Sequence, residues 1–213
     1  MADEEMESDQ ELLPVVTDDD IRRSSGDELG FVSGWDEDTD GVEEELNPHA
    51  SPNKEILWAA ENGENEIIKR LVKENPSIVH VRDQDGYTAL HRACYNNHVE
   101  TVELLIQSGA NIAAKTDCGW QPLHSACKWN NAECAAKLLA YGADVNALTD
   151  GDLTPLHTAA SNSYARDCLE LLLMHHNIRP DMKNHVNETA FEIARRSGKY
   201  AGLFEITEPC FQL

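Results

Sequence analysis

The sequence predicts an all-α solenoid of about five helix-turn-helix units joined by hairpin loops and preceded by an acidic tail, and three observations carry that prediction. The frame TALHRAC at Thr88–Cys94 returns as QPLHSAC at Gln121–Cys127 and as TPLHTAA at Thr154–Ala160, so Leu90/His91, Leu123/His124 and Leu156/His157 recur at intervals of 33 residues. Recurrence at a fixed period of this size is the mark of stacked supersecondary units that share one continuous core. Behind each frame lies an apolar stripe: Ile67, Ile68, Leu71 and Val72, then Val102, Leu105 and Ile106, then Ala135, Leu138 and Leu139, then Leu169, Leu172 and Leu173. Spacing of i, i+1, i+4 and i+5 is that of a buried helix face. The third observation is charge: residues 1–48 carry 18 Asp/Glu against 2 Lys/Arg, or −16 of the total of −22.

Residues 1–53 show no sustained apolar period and are rich in Asp, Glu, Ser and Gly, a composition that buries too little surface to offset the entropy of ordering. They are expected to be mostly disordered. Two islands interrupt them, ELLPVV at Glu11–Val16 and LGFVSGWDEDTD at Leu29–Asp40, where Phe31, Val32 and Trp35 stand beside acids. Such an island suits a partner or docking on the chain's own solenoid, and both stay open.

From Lys54 the repeat takes over, in units at about 54–82, 83–115, 116–148, 149–183 and 184–213. Ile56–Ala60 (ILWAA) has no Thr-Pro entry and Leu57 where the others have histidine, so it reads as an N-terminal cap with Lys54, Glu55, Glu61 and Glu64 turned to water. In the inner units proline suits a first turn whose N–H has no helical partner. Threonine can cap that turn, and the following histidine can tie it to a neighbouring loop. Gly109 and Gly142 supply left-handed helix ends. Leu156 and Phe191 are 35 apart, so two extra residues are expected, one near Tyr164–Asp167 and one in the loop His175–Pro180. The frame TAFEIAR at Thr189–Arg195 replaces histidine by Glu192 and reads as the far cap, with Arg195, Arg196 and Lys199 outside and Leu203, Phe204 and Ile206 continuing the core.

A 33-residue period with a T-P-L-H-x-A core resembles the ankyrin-repeat family, over about residues 50–210. That resemblance implies a protein that binds other proteins through its hairpin tips and the exposed face of its first helices. Carried onto this chain, the tip positions are Gln84, Asp85 and Tyr87; Asp117, Cys118 and Trp120; Asp150, Gly151 and Leu153. The positions at the ends of the first helices are Tyr95 and Asn96, Lys128 and Trp129, Ser161 and Asn162. Tyr87, Tyr95, Trp120 and Trp129 fall in two adjacent units, and aromatic side chains dominate interface energies, so they are the expected hot spot, with Trp120 and Trp129 facing one groove. The bland alternative is that the rings only pack on each other and on Lys128. Departures from the pattern, Gln121 for Thr, Thr116 and Thr149 for the tip Asp, and Asp152 for glycine, leave the turn at Thr149–Thr154 uncertain in shape.

Asp83, Asp85, Asp117, Asp150 and Asp152 at the tips face few bases, chiefly Lys115 and Lys128, so the expected protein partner is basic and apolar. The acidic balance speaks against direct nucleic-acid binding, which needs clustered Lys and Arg. The start MADEEMESDQ lacks a basic and apolar leader and no later run is long enough to span a bilayer, so an intracellular protein without a membrane partner is expected. No catalytic set, glycine-rich phosphate loop or H-E-x-x-H is present, and no enzyme, cofactor or metal is expected. Cys94 and Cys127 sit at alanine positions, Cys134 and Cys168 on apolar helix faces, Cys118 in a loop and Cys210 in the last turn, a pattern of free structural thiols. The working expectation is a monomeric, non-enzymatic intracellular adaptor, and the resemblance implies a nuclear or cytoplasmic regulator whose role would include transcription. Two rivals are an acidic chaperone-like binder of basic proteins such as histones or ribosomal proteins, and an inhibitor or subunit of an enzyme complex.

Overall fold

The computed structural model describes residues 48–197 and 199–207, the side chains of 206 and 207 excepted. Among the described residues five first helices alternate with four second helices, the second being the longer in the three inner units. They are α1 Pro52–Asn62 and α2 Asn65–Glu74; α3 Ala89–Tyr95 and α4 Val99–Gln107; α5 Pro122–Lys128 and α6 Ala132–Ala140; α7 Pro155–Ser161 and α8 Arg166–Leu173; then α9 Ala190–Ser197. Two 3-10 helices join them, Pro76–His80 between α2 and α3 and Ala201–Thr207 after α9. First helices pack side by side (α1, α3, α5, α7, α9) and second helices stack behind them (α2, α4, α6, α8). The core lies between the layers, where Leu90, Leu105, Leu123, Leu138, Leu156 and Leu172 are fully buried, so the apolar stripes face as expected.

Helix α1 begins at Pro52, two residues ahead of Lys54, because Ser51 caps it: its Oγ accepts the Lys54 amide at 3.3 Å. Ser51-Pro52 is thus the Thr-Pro entry that the first unit seemed to lack, displaced by three residues. His49 packs edge-on to Trp58 and reaches Glu55, which also takes Arg70 at 2.7 Å, so Glu55 is part of a charged cluster rather than a freely solvated acid.

Helices of seven residues are too short to stand alone, and the repeated histidine shows what holds them. In each inner unit Nδ1 accepts the amide three residues back, from Thr88, Gln121 and Thr154, all at 3.2 Å. Nε2 then donates to a carbonyl of the next hairpin: Trp120 at 3.1 Å, Leu153 at 3.1 Å, Glu188 at 3.2 Å. This arrangement requires the neutral ring with its proton on Nε2, and burial holds His91 and His124 down at about 4. Gln121 serves as well as threonine here because the backbone amide makes the bond. In the last unit Glu192 takes over the inward half of the task, Oε2 accepting the Thr189 amide at 2.7 Å and its hydroxyl at 3.1 Å.

The free carbonyls at the other ends of α1, α3, α5 and α7 are capped by the following unit. His98 Nε2 reaches Glu61 O at 2.8 Å; Asn131 Nδ2 reaches Cys94 O and Tyr95 O at 2.8 and 2.7 Å; Asn162 Nδ2 reaches Lys128 O at 2.7 Å; Ser197 Oγ reaches Ala160 O at 2.9 Å. The helix ends that short helices leave unpaired are therefore satisfied between units rather than within them.

All four hairpins close in one way: Asp83, Thr116, Thr149 and Asn184 donate their amides to Tyr87, Trp120, Leu153 and Glu188. Side chains at the roots return the favour, Asp83 Oδ1 accepting the Tyr87 amide, Thr116 Oγ1 that of Trp120, Thr149 Oγ1 that of Leu153 and Asn184 Oδ1 that of Glu188. Threonine replaces aspartate at no loss because one acceptor oxygen suffices. The turn at Thr149–Thr154 keeps its shape, with Asp152 at φ 57° and Asn187 at φ 64° where the first two hairpins have Gly86 and Gly119. Successive tips touch through backbone bonds, Asp117 N to Asp85 O, Asp150 N to Cys118 O and His185 N to Gly151 O. Along the hairpin bases Arg82 donates to Lys115 O, and Lys115 in turn to Leu148 O.

The two extra residues of the fourth unit lie where expected. One lengthens the turn between α7 and α8, and the other sits after α8, where Asn146 clamps the loop through Asn177 O at 2.7 Å and Arg179 N at 2.9 Å. Cys94, Cys127, Cys134 and Cys168 are fully buried free thiols and Cys118 is exposed, while Cys210 lies outside the described residues. Burial pushes Cys94 and Cys127 well up and Cys134 to about 12, which makes them inert fillers. Cys94→Ala should therefore cost less than about 1 kcal/mol, whereas Cys94→Leu overpacks the helix pair and should cost about 1–3 kcal/mol in urea unfolding. Equal losses from the two would show that the thiol itself, not its volume, matters there.

Candidate interaction surface

Two sets of side chains flank the first helices, those at the end of each preceding hairpin and those at the end of each first helix. Tyr87, Trp120 and Leu153 occupy the hairpin ends, all half-buried. Tyr87 lies edge-on to His91 at 5.5 Å and 78°, and Trp120 leans over His124 at 6.2 Å and 47°. Each ring therefore rests on the buried imidazole of its own unit, which fixes it without enclosing it. Tyr95 and Trp129, at the ends of α3 and α5, meet edge to face at 4.9 Å and 65°, one ring from each of two adjacent units. The structure thus joins Tyr95 with Trp129, and seats Trp120 on the histidine instead of on Trp129.

Gln84, Asp85, Asp117 and Asp150 are exposed at the tips. Burial, then the neighbouring Cys118 thiol and the Asp83 and Asp85 carboxylates, pushes the Tyr87 phenol up to about 12. Asn96, Lys128, Ser161 and Asn162 are half-buried rather than freely exposed, because the fold uses them. Asn96 Nδ2 reaches back to Arg92 O at 3.3 Å, Ser161 Oγ donates to Thr158 O at 2.8 Å and lies 3.4 Å from Lys128 Nζ, and Asn162 caps α5.

Sequence reasoning passed over Arg92. Its guanidinium bridges Glu61 at 2.6 Å, in the preceding unit, and Asp83 at 3.1 Å, at the root of its own hairpin. Asp83 is therefore committed inside the surface, unlike Asp117 and Asp150. The signal was an arginine at the position held by Ser125 and Thr158 in later units, but its partner Glu61 is 31 residues away and outside any local pattern. Ser125 is the converse case: its hydroxyl is buried and has no hydrogen-bond partner among the described residues.

Among the described residues no group of three or more His, Cys, Asp or Glu is placed to hold a metal ion. His175 and His176 stack at 4.6 Å and 25° on the loop after α8, with His175 Nδ1 accepting the Asn177 amide. No described helix is long and apolar enough to cross a membrane.

A family model described as ankyrin repeats (3 copies) matches residues 56–149 and 113–184. The chain belongs to the ankyrin-repeat family. Ankyrin repeats imply protein–protein interaction. The chain is similar to ankyrin repeat domain-containing protein 49 of Bos taurus, 59% identical over 167 residues that make up 78% of this chain and 70% of the relative. The protein of that name from Homo sapiens is 57% identical over 167 residues, with the same coverage. That from Drosophila melanogaster is 52% identical over 182 residues, or 85% of each chain.

Proposed function

We propose that this ankyrin-repeat protein is a non-catalytic adaptor that captures a protein partner on the inner surface of its second to fourth units, against Tyr87, Tyr95, Trp120 and Trp129. The Tyr95–Trp129 pair carries the reading: two large rings from adjacent units meet at a surface that the fold leaves half open. Helix ends elsewhere in the array are capped by small polar residues, so stacking alone does not require tryptophan there. Exposed Asp85, Asp117 and Asp150 beside the rings favour a partner that is basic as well as apolar.

The −16 charge of residues 1–48 supports a second reading, in which the acidic tail itself attracts basic proteins. Affinity capture from cell extract with the full chain, a chain starting at Pro48, and full-chain Trp129→Ala separates the two. On the adaptor reading the Pro48 chain keeps the partners, while Trp129→Ala weakens capture by at least about 2 kcal/mol, roughly thirtyfold. Its unfolding should shift by less than the ~3–5 kcal/mol of a core tryptophan. A folded Trp129→Ala that retains every partner refutes the adaptor reading.

A further inference from the structure

Two adjacent hairpins repeat one arrangement that the adaptor reading alone does not explain. At Gly86 an added Cβ would lie 2.7 Å from Asp117 Oδ1, and at Gly119 it would lie 2.5 Å from Asp150 Oδ1. The carboxylate of each following unit is therefore laid over the glycine of the turn before it, and the very next residue of that turn is the aromatic one, Tyr87 or Trp120. No side chain among the described residues engages the Asp117 or Asp150 carboxylate, and both residues are exposed. Asp83, by contrast, is held by Arg92, which shows that this surface already accommodates one cation where a carboxylate stands beside the Tyr87 backbone.

We infer that these hairpins are seats for the cationic side chains of an extended basic segment of the partner, one Lys or Arg against Tyr87 and Asp117 and the next against Trp120 and Asp150. A ring face and a carboxylate together attract an ammonium or guanidinium group, the ring through its quadrupole and the acid through its charge. The seats end there, since the next hairpin has Leu153 and the one after it Glu188 at the ring position. Neighbouring units stack at about the 8–10 Å of packed helices, and three residues of an extended polyproline II chain make one turn, span about 9 Å and bring the side chain back to the same face. The segment should therefore present its cations three residues apart.

The inference rests on the adaptor reading for the surface, but its test is separate. Calorimetry at 0.15 M salt would titrate the full chain with acetyl-(Lys-Gly-Ser)4-amide, with the same peptide carrying Nε-acetyl-lysine, and with a rephased peptide holding four lysines at every second position. The first peptide should bind about tenfold more tightly than the acetylated one and several-fold more tightly than the rephased one. The double variant Asp117→Asn/Asp150→Asn should remove about as much, and Trp120→Leu a comparable share. Asp144→Asn/Asp181→Asn changes the net charge equally at exposed loops after the second helices and should leave binding within about twofold. Equal loss from the two double variants, or indifference to lysine spacing, overturns the seats in favour of diffuse attraction to an acidic chain. That outcome leaves the adaptor reading standing if Trp129→Ala still loses its partners.

Discussion

Lowering the pH from 7 to 5 should cost the protein about 4 kcal/mol of stability, about 2 kcal/mol from each of His91 and His124. Both rings are buried and neutral, Nδ1 accepting a backbone amide and Nε2 donating to the next hairpin, and burial holds both at about 4. In the unfolded chain they titrate near 6.5. A folded-state value below the unfolded one means that the unfolded chain binds the extra protons. The stability is then fully present above about pH 6.5 and is lost as the pH falls towards about 4, at up to ~1.4 kcal/mol per pH unit for each histidine. His157 is shifted in the same direction by burial and adds to the slope. The window from pH 7 to 5 lies above the ordinary range of the carboxylates, so it isolates the histidines. Urea midpoints at pH 7, 6 and 5 measure the slope, and His124→Gln, which keeps a donor for the Leu153 carbonyl without a titrating group, should remove about 2 kcal/mol of the loss. A midpoint unchanged between pH 7 and 5 would show that the rings carry a proton without cost.

The second large effect concerns glycines of similar dihedral angle and different surroundings. Gly119 has φ 78° and Gly142 φ 91°, so each would place an alanine in the left-handed region. At Gly142 a Cβ would meet nothing within 4 Å, and Gly142→Ala should cost only the backbone strain, about 1–2 kcal/mol. At Gly119 the Cβ would lie 2.7 Å from the Asp150 amide as well as 2.5 Å from its carboxylate, and that amide makes the tip-to-tip bond to Cys118 O. Gly119→Ala must push the two hairpins apart, so overpacking and the loss of that bond add to the strain, for about 3–5 kcal/mol in all. Chemical denaturation of the two variants side by side measures the difference. Equal costs would mean that tip contact contributes nothing to the array.

The helical layers, the buried stripes and the histidine link were legible in the sequence because each repeats every 33 residues, and register multiplies a weak local signal. The hairpin at Thr149–Thr154 looked doubtful because residue types were compared. Its geometry needs only an acceptor at the root and a residue tolerant of the left-handed region, and Thr149 and Asp152 meet both demands. What stayed hidden lies between units at unequal spacing. Arg92 meets Glu61, Asn131 reaches the end of α3, and Asn146 clamps a loop more than thirty residues on, pairings that follow from stacking geometry and leave no periodic trace. For the candidate surface, the aromatic residues could be named from the sequence, whereas their division into a Tyr95–Trp129 pair and two histidine-seated rings could not.

Glu192 closes its own unit and leaves the outward half of the histidine's task undone. Each histidine-bearing unit resembles a propagating monomer, closed toward its own hairpin through Nδ1 and offering, through Nε2, a donor to whatever unit stacks next. A carboxylate can perform the first act and not the second: Glu192 accepts from Thr189, but toward a further hairpin it would present oxygen to a carbonyl oxygen. Phe191, at the position where Leu156 is 1% exposed, is 42% exposed and meets Phe204 edge to face at 5.7 Å. The unit lacks the outward donor that the three inner units share, and an engineered repeat stacked on it would gain that link from Glu192→His.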